Sequence, residues 1–315
     1  MTIRTFTAGD DAAQVSIYNE AAADLPKFKP VTLDELRRRL RGPDFDPATR
    51  FFAVEGGRPV GYASFHLNGR VSFPWCRKGR EQWTGPLFDA VLGAMRARGL
   101  AAAFAAYRAD WPAQCEFFLA HGFTLAREMV NFVMELTDMP TPSARPAVAV
   151  AVGPMTAADV PAVFALAPKP FRVRDAAELG RHLLENPYFP PESVSVLRSR
   201  ADGAPIGMGV LVENSAYADP KQIDAAMPCF RLGAVGAENM QTKRVNGLFS
   251  FVAAEGRDFH AIGLDLLGHA ALRLQESDTS TFGAQVASDA PHLLRFYKQY
   301  FRRQGSFPIY QRSLT

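Results

Sequence analysis

The apolar pattern of this chain changes period in a set order, and the order occurs twice. TIRTF at residues 2–6, short and rich in β-branched and aromatic residues, predicts a strand. SIYNEAAADL and TLDELRRRL carry apolar residues at helical spacing, and FFAVE, the turn GGRP and VGYASFHL predict a hairpin. Beyond residue 147 the series returns as VAVAVG, helices in TAADVPAVFALA and RDAAELGRHLLEN, and a hairpin made of SVSVLRSR, ADGAP and IGMGVLVEN. Each half then continues with a third strand (RVSFPWC; LFSFVAA) and a long amphipathic helix (GPLFDAVLGAMRARG; AIGLDLLGHAALRLQ). A further strand (AAAFAAYR; TFGAQVAS) and an aromatic-rich last helix complete it. Helices mixed with antiparallel hairpins predict an α+β unit, and the recurrence predicts two tandem copies of one plan.

The closest local echo is GRPVGYASF against GAPIGMGVL, where Gly61 and Gly207 stand 146 residues apart. Each half also ends in an aromatic helix followed by Gly and Phe, EFFLAHGF and RFYKQYFRRQGSF, with Gly122 and Gly305 183 residues apart. The second half thus holds about 37 extra residues, part of them in NSAYADPKQIDAAMPCF (214–230), which reads as an inserted loop. TDMPTPSARP breaks all periodicity with three prolines and marks a linker. The expected domains are residues 1–137, a linker at 138–146, and residues 147–315.

Charge and cysteine content narrow the function classes. A net charge of +3 is dispersed, and CRKGR (76–80) reads as a solvated face, so no nucleic-acid partner is expected. Cys76, Cys115 and Cys229 lack CxxC spacing and a nearby His pair, which argues against disulfides and a metal site. The start MTIRTFTAGDDAAQ lacks a signal-peptide core and no apolar run is long enough to span a bilayer. A cytoplasmic protein without a membrane partner is expected.

The order of parts across both halves resembles the GNAT superfamily of N-acyltransferases. The resemblance implies acyl-CoA, most simply acetyl-CoA, as co-substrate without a metal, and a small-molecule or peptide amine as acceptor. It implies that the third core strand splays from its neighbour to admit the pantetheine arm. A backbone donor for the oxyanion would then come from Leu248 to Val252, Phe251 and Val252 included, or from Val71 to Phe73. The pyrophosphate would lie on the following helix start, where the family shows Arg or Gln, two residues, Gly, one residue, and Gly or Ala. In the second half this stretch holds Arg257, His260, Ala261, Ile262 and Gly263; in the first, Arg80 and Gly85 remain, with Trp83 in place of the first Gly. A helix start presents free N–H groups and suits an anion in either case.

The chemistry needs a proton donor for the leaving thiolate. The family's last helix carries a Tyr four residues before the Gly of Gly-Phe; that place is Phe118 in the first half and Phe301 in the second. Tyr297, one helical turn before Phe301, is the favoured acid, with Tyr300 the other candidate catalytic residue. His260, Glu238 and Asp289 are candidate bases, although Asp289 and Asp110 also read as caps of Pro-started helices. His121 and His269 read as packing or surface residues. Lys243, Arg244 and Asn246 precede the candidate strand and read either as a border of the acceptor site or as a plain turn. The resulting expectation is an N-acyltransferase active in its second half, with a non-catalytic tandem binding protein as the alternative.

Overall fold

The computed structural model describes residues 2–40, 45–140, 150–166, 173, 175–185, 191–213, 247–277 and 279–315. The expected inserted loop at 214–230 lies outside these residues, as do Glu238, Lys243, Arg244, Asn246 and Cys229. The described residues form two compact units, one of 2–127 with 307–315, the other drawn from 128–213 and 247–306.

In the first unit, β1 (Thr2–Thr5), β2 (Arg50–Glu55), β3 (Arg58–Ser64) and β4 (Trp75–Cys76) make an antiparallel sheet in that order. The β2–β3 turn is Gly56-Gly57, with φ of 54° and 79°. Positive φ at both central positions suits a two-residue hairpin, and glycine adopts it without steric cost. Helices α1 (Asp10–Ala21) and α2 (Leu33–Leu40) precede the hairpin; α3 (Thr84–Ala97), β5 (Ala102–Ala106) and α4 (Pro112–Ala120) follow it. β5 pairs with the end of the last strand, β12 (Arg302–Ser313), from Ile309↔Ala106 to Ser313↔Ala102.

In the second unit, β7 (Val150–Pro154), β8 (Val194–Ser199), β9 (Pro205–Val212), β10 (Leu248–Ala253) and β11 (Thr281–Ala287) lie side by side in chain order. Beyond β11 lies β6 (Thr124–Glu135), paired with it from Met129 to Glu135. Helices α5 (Val160–Leu166) and α6 (Ala176–Leu184) pack on one face, and α7 (Phe259–Leu274) and α8 (Pro291–Tyr300) on the other. The units therefore differ from the consecutive stretches 1–137 and 147–315 in two places. Residues 128–135 fall in the second unit and 307–315, paired with β5, in the first, because strand pairing takes no account of chain order.

The internal repeat extends to small details. A β-bulge falls between Ala53 and Val54 and again between Leu197 and Arg198, each beside the matched glycine. Those glycines stand where neighbours crowd them: a Cβ on Gly61 would lie 2.8 Å from Cys76 Sγ and 3.0 Å from Leu87 Cδ1, and one on Gly207 2.6 Å from Ile262 Cγ2. The helix after β1 opens with Thr7-x-x-Asp10, and the helix after β7 with Thr156-x-x-Asp159. In both, the Asp carboxylate accepts from the Thr backbone N–H and hydroxyl, at 2.7 and 3.0 Å in the first and 2.8 Å for each in the second.

One expected element is shorter than its pattern. α8 ends at Tyr300, and Phe301 is extended at φ −116° and ψ 149°, directly before β12. Phe301 is thus not on the helix face of Tyr297, and Gly305 lies within a strand, whereas Gly122 holds φ 77° after α4. The expected matching of Gly122 with Gly305 gives way to a count from the Pro that opens each helix. On that count Phe118 matches Tyr297, and His121 matches Tyr300.

Candidate active site

In the second unit, β10 and β11 run parallel but meet only at Leu248↔Gly283, where Gly283 N–H donates to Gly247 O at 3.0 Å. β10 itself continues to Ala253, paired with β9 along its length. Beyond its first residue β10 therefore leaves β11 and a wedge opens. Ala254 N–H bonds Ile206 O, so even-numbered residues of β10 direct their backbone groups to β9 and odd-numbered ones to the wedge. The N–H and C=O of Phe251 thus face the gap, whereas those of Val252 are spent on β9. Of the two expected backbone donors only Phe251 is placed to serve a ligand.

Tyr297 reaches this wedge from α8. Its hydroxyl donates to Phe249 O at 3.1 Å, and the ring is fully buried against Phe132, Phe251 and Phe296. Burial drives the phenol pKa well above its ordinary value, with the neighbouring Ser250 hydroxyl opposing the rise, so Tyr297 stays protonated at any physiological pH. Tyr300 lies a turn further on at the helix end. Its hydroxyl is 2.6 Å from His260 Nε2 and accepts from Gln299 Nε2 at 3.3 Å. The structure brings Tyr300 together with His260 and leaves Tyr297 with β10.

At the start of α7 the sequence pattern meets an unexpected occupant. Asp258 is the N-cap, and its Oδ1 accepts from His260 N–H at 3.1 Å and Ala261 N–H at 3.0 Å. A carboxylate of the chain itself thus sits on amides that a phosphate would use. Arg257 is exposed beside it. Ile262 and Gly263 are buried. A Cβ on Gly263 would lie 2.5 Å from Phe251 Cζ and 2.6 Å from Phe296 Cε2, so close helix packing requires this glycine.

The corresponding place in the first unit is filled by its own side chains. Phe73 N–H donates to the Tyr107 hydroxyl at 2.5 Å, and Phe118 stacks on Tyr107 with centroids 5.6 Å apart. Burial pushes the Tyr107 phenol up to about 12. On the loop before α3, Arg80 Nε donates to Glu55 at 2.8 Å and Trp83 Nε1 to the same carboxylate at 2.6 Å. Glu81 accepts from Gly79 N–H and Glu20 from Lys78 N–H, each at 3.0 Å. Arg80 is therefore committed to a carboxylate. Gly85 has open space where a Cβ would stand.

The remaining candidates have other placements. The N-cap positions are Ala290 and Trp111, one residue after Asp289 and Asp110, and Asp110 binds Arg108 at 2.6 Å. His121 packs on Phe88 and Phe117, and burial lowers the His269 pKa. Cys76 and Cys115 are buried and free, with burial pushing the Cys76 thiol up to about 11. No helix among the described residues is long and apolar enough to cross a membrane.

Sequence reading missed Tyr107, whose role depends on a partner 34 residues away, and the carboxylate of Asp258. For Asp258 a signal was present, since Asp directly before a helical run is a cap signature.

A parallel strand pair that splays after one register, with a long helix leaving the first strand, joins an antiparallel meander in this chain. Known structures are similar to it in overall fold. A glucosamine N-acetyltransferase region of a fungal multi-domain GH3 β-N-acetylglucosaminidase aligns over 99% of this chain and 38% of its own, with TM-score 0.66 and 15% identity. A GCN5-related N-acetyltransferase of Sphaerobacter thermophilus aligns over 99% and 95%, with TM-score 0.62 and 14% identity. A tandem GNAT protein from the clavulanic acid biosynthesis pathway aligns over 100% and 98%, with TM-score 0.59 and 16% identity. The chain has the tandem GNAT fold.

In sequence, a mycothiol acetyltransferase of Thermomonospora curvata is 43% identical over 63 residues. That match covers 20% of this chain and 21% of the relative, so the likeness spans about a fifth of either protein. No protein-family model matches the chain.

Proposed function

We propose that this chain is an acyl-CoA-dependent N-acyltransferase that moves an acetyl group from acetyl-CoA to an amine, with the chemistry in the second unit. The observation that carries the reading is the wedge between β10 and β11, faced by the backbone of Phe251 and the hydroxyl of Tyr297. A strand with unspent backbone groups can pair with an amide-bearing arm as it would with another strand. The Phe251 N–H is placed to stabilise negative charge on a thioester oxygen held there. Attack by the amine nitrogen forms the C–N bond and breaks the C–S bond; Tyr297 supplies a proton to the leaving sulfur, and the proton lost from nitrogen returns through solvent to the Tyr297 phenolate. Its raised pKa keeps that proton available. The first unit, its equivalent place closed by Tyr107 and its loop braced by Glu20, Glu55 and Glu81, serves as scaffold.

Acceptors remain a matter of proposal. The named activities of the similar proteins concern a glucosamine and a mycothiol acetyltransferase, which favour a small-molecule amine. A second reading, binding of the cofactor without turnover, draws support from Asp258, whose charge opposes a pyrophosphate. Isothermal titration with acetyl-CoA, followed by thiol release in the presence of an amine panel, tests both. One binding site with turnover supports the transferase; binding without turnover supports the second reading; no binding defeats both. Tyr297→Phe should keep acetyl-CoA binding while lowering kcat about a hundredfold, the ordinary share of a general acid. An unchanged kcat would remove Tyr297 from the chemistry.

A further inference from the structure

On the side of the second sheet away from α7 and α8, three polar side chains stand in one row. The aromatic and aliphatic residues that alternate with them pack toward those helices, so Ser250 of β10, Gln285 of β11 and Asn131 of β6 point to the other face. The registers align them. Leu248↔Gly283 sets Ser250 across the wedge from Gln285, and Gln285 pairs directly with Asn131. Gln285 Nε2 donates to Asn131 Oδ1 at 2.8 Å. Ser250 is 1% exposed, and its hydroxyl neighbours that of Tyr297, with no other side-chain hydrogen bond among the described residues. Gln285 is 3% exposed, and Asn131, half-buried, marks the open end of the row.

We propose that Ser250, Gln285 and Asn131 recognise the acceptor, and that they select an amine bearing hydroxyl or amide groups near its nitrogen. The inference rests on the transferase reading above and names its substrate class. Polar groups in a sheet interior are retained at a cost unless their hydrogen bonds are made. Among the described residues Ser250 has only the Tyr297 hydroxyl beside it, and a bound hydroxyl or amide supplies the further hydrogen bond. Its position fits, because Ser250 flanks the wedge at the Tyr297 hydroxyl, where the thioester must lie for proton transfer. The row has donors and acceptors but no charge, so it offers nothing to neutralise a carboxylate on the acceptor. A purely apolar amine would leave the row unmet, which is the stronger form of discrimination.

The test compares glucosamine with benzylamine as acceptors, in the full-length protein and in Ser250→Ala and Gln285→Leu. Acetyl-CoA binding is measured by calorimetry on each variant, and a thermal melt confirms folding. Expected is at least a tenfold preference in kcat/KM for glucosamine, lost in Ser250→Ala through KM for the amine, with acetyl-CoA Kd within twofold of the parent. The benzylamine rate should fall by a much smaller factor than the glucosamine rate. Absence of a preference, a preference that survives both substitutions, or transfer to neither amine while acetyl-CoA still binds would overturn the assignment. If acetyl-CoA fails to bind the parent protein, the transferase reading falls and the row falls with it.

Discussion

Gly263 illustrates how one residue type serves two very different demands. In a phosphate-binding turn, glycine lets a ligand approach the backbone. At Gly263 the approach is instead made by Phe251 and Phe296, whose ring atoms stand 2.5 and 2.6 Å from where a Cβ would be. Gly263→Ala should therefore destabilise the second unit by about 1–3 kcal/mol, the usual cost of overpacking. A thermal melt checks this; an unshifted midpoint would mean that the two rings move aside freely. The residue was legible in sequence as important, but not for its reason, because the spacing of a glycine gives no indication of which neighbour crowds it. Tyr297 presents the converse. Its place became clear only when α8 was counted from Pro291, since Phe301, apolar and one turn later, prolonged the helical pattern past the true helix end.

At the scale of elements, the start of α7 is where sequence and structure diverge most usefully. Loop, glycine and amphipathic helix were all legible, yet the amides at His260 and Ala261 already have an anionic partner in Asp258. Asp258→Asn keeps a good capping oxygen and removes the charge. Stability should change by no more than about 0.5 kcal/mol, whereas acetyl-CoA affinity should rise about two- to fivefold, the range expected for one charge at a helix terminus. Unchanged or weaker binding in the calorimeter would place the pyrophosphate elsewhere. The paired Thr-x-x-Asp boxes make a second case. TAGD and TAAD are visible in the sequence 149 residues apart, as strong an echo as the glycines, but short polar strings stand out only once their hydrogen bonds are seen. Both Asp carboxyls are partly desolvated, which raises their pKa. Bonds from Thr7 and Arg4, and from Thr156 and Arg198, more than offset this and leave both below the ordinary value. A folded pKa lower than the unfolded one contributes stability above about pH 4, lost as pH falls through the folded value. Asp10→Asn or Asp159→Asn should thus flatten the acid limb of an unfolding curve; an identical acid dependence would show that neither box contributes.

At the scale of the molecule, the two units are not two consecutive lengths of chain. The tandem plan was legible because each copy repeats its local periodicity, and local periodicity is what a sequence displays. Strand pairing between residues 102–106 and 309–313 is nonlocal, so no reading of either half alone discloses that the first unit is finished by the last strand. This has a measurable consequence. Trp75, Trp83 and Trp111 are the chain's three tryptophans, and all belong to the first unit, so tryptophan emission reports that unit alone. Tyr310, at 7% exposure, packs in the same core as Leu87, Phe88 and Phe118. Tyr310→Ala removes a large buried ring and should cost about 3–5 kcal/mol, as large aromatic truncations do. The loss should appear as an earlier melt in tryptophan emission, even though the substitution lies close to the C-terminus of the chain. If the emission melt were unmoved while a second, tryptophan-silent transition by circular dichroism shifted instead, residues 307–315 would belong energetically to the second unit. The consecutive division at residue 137 would then describe the protein better than strand exchange does.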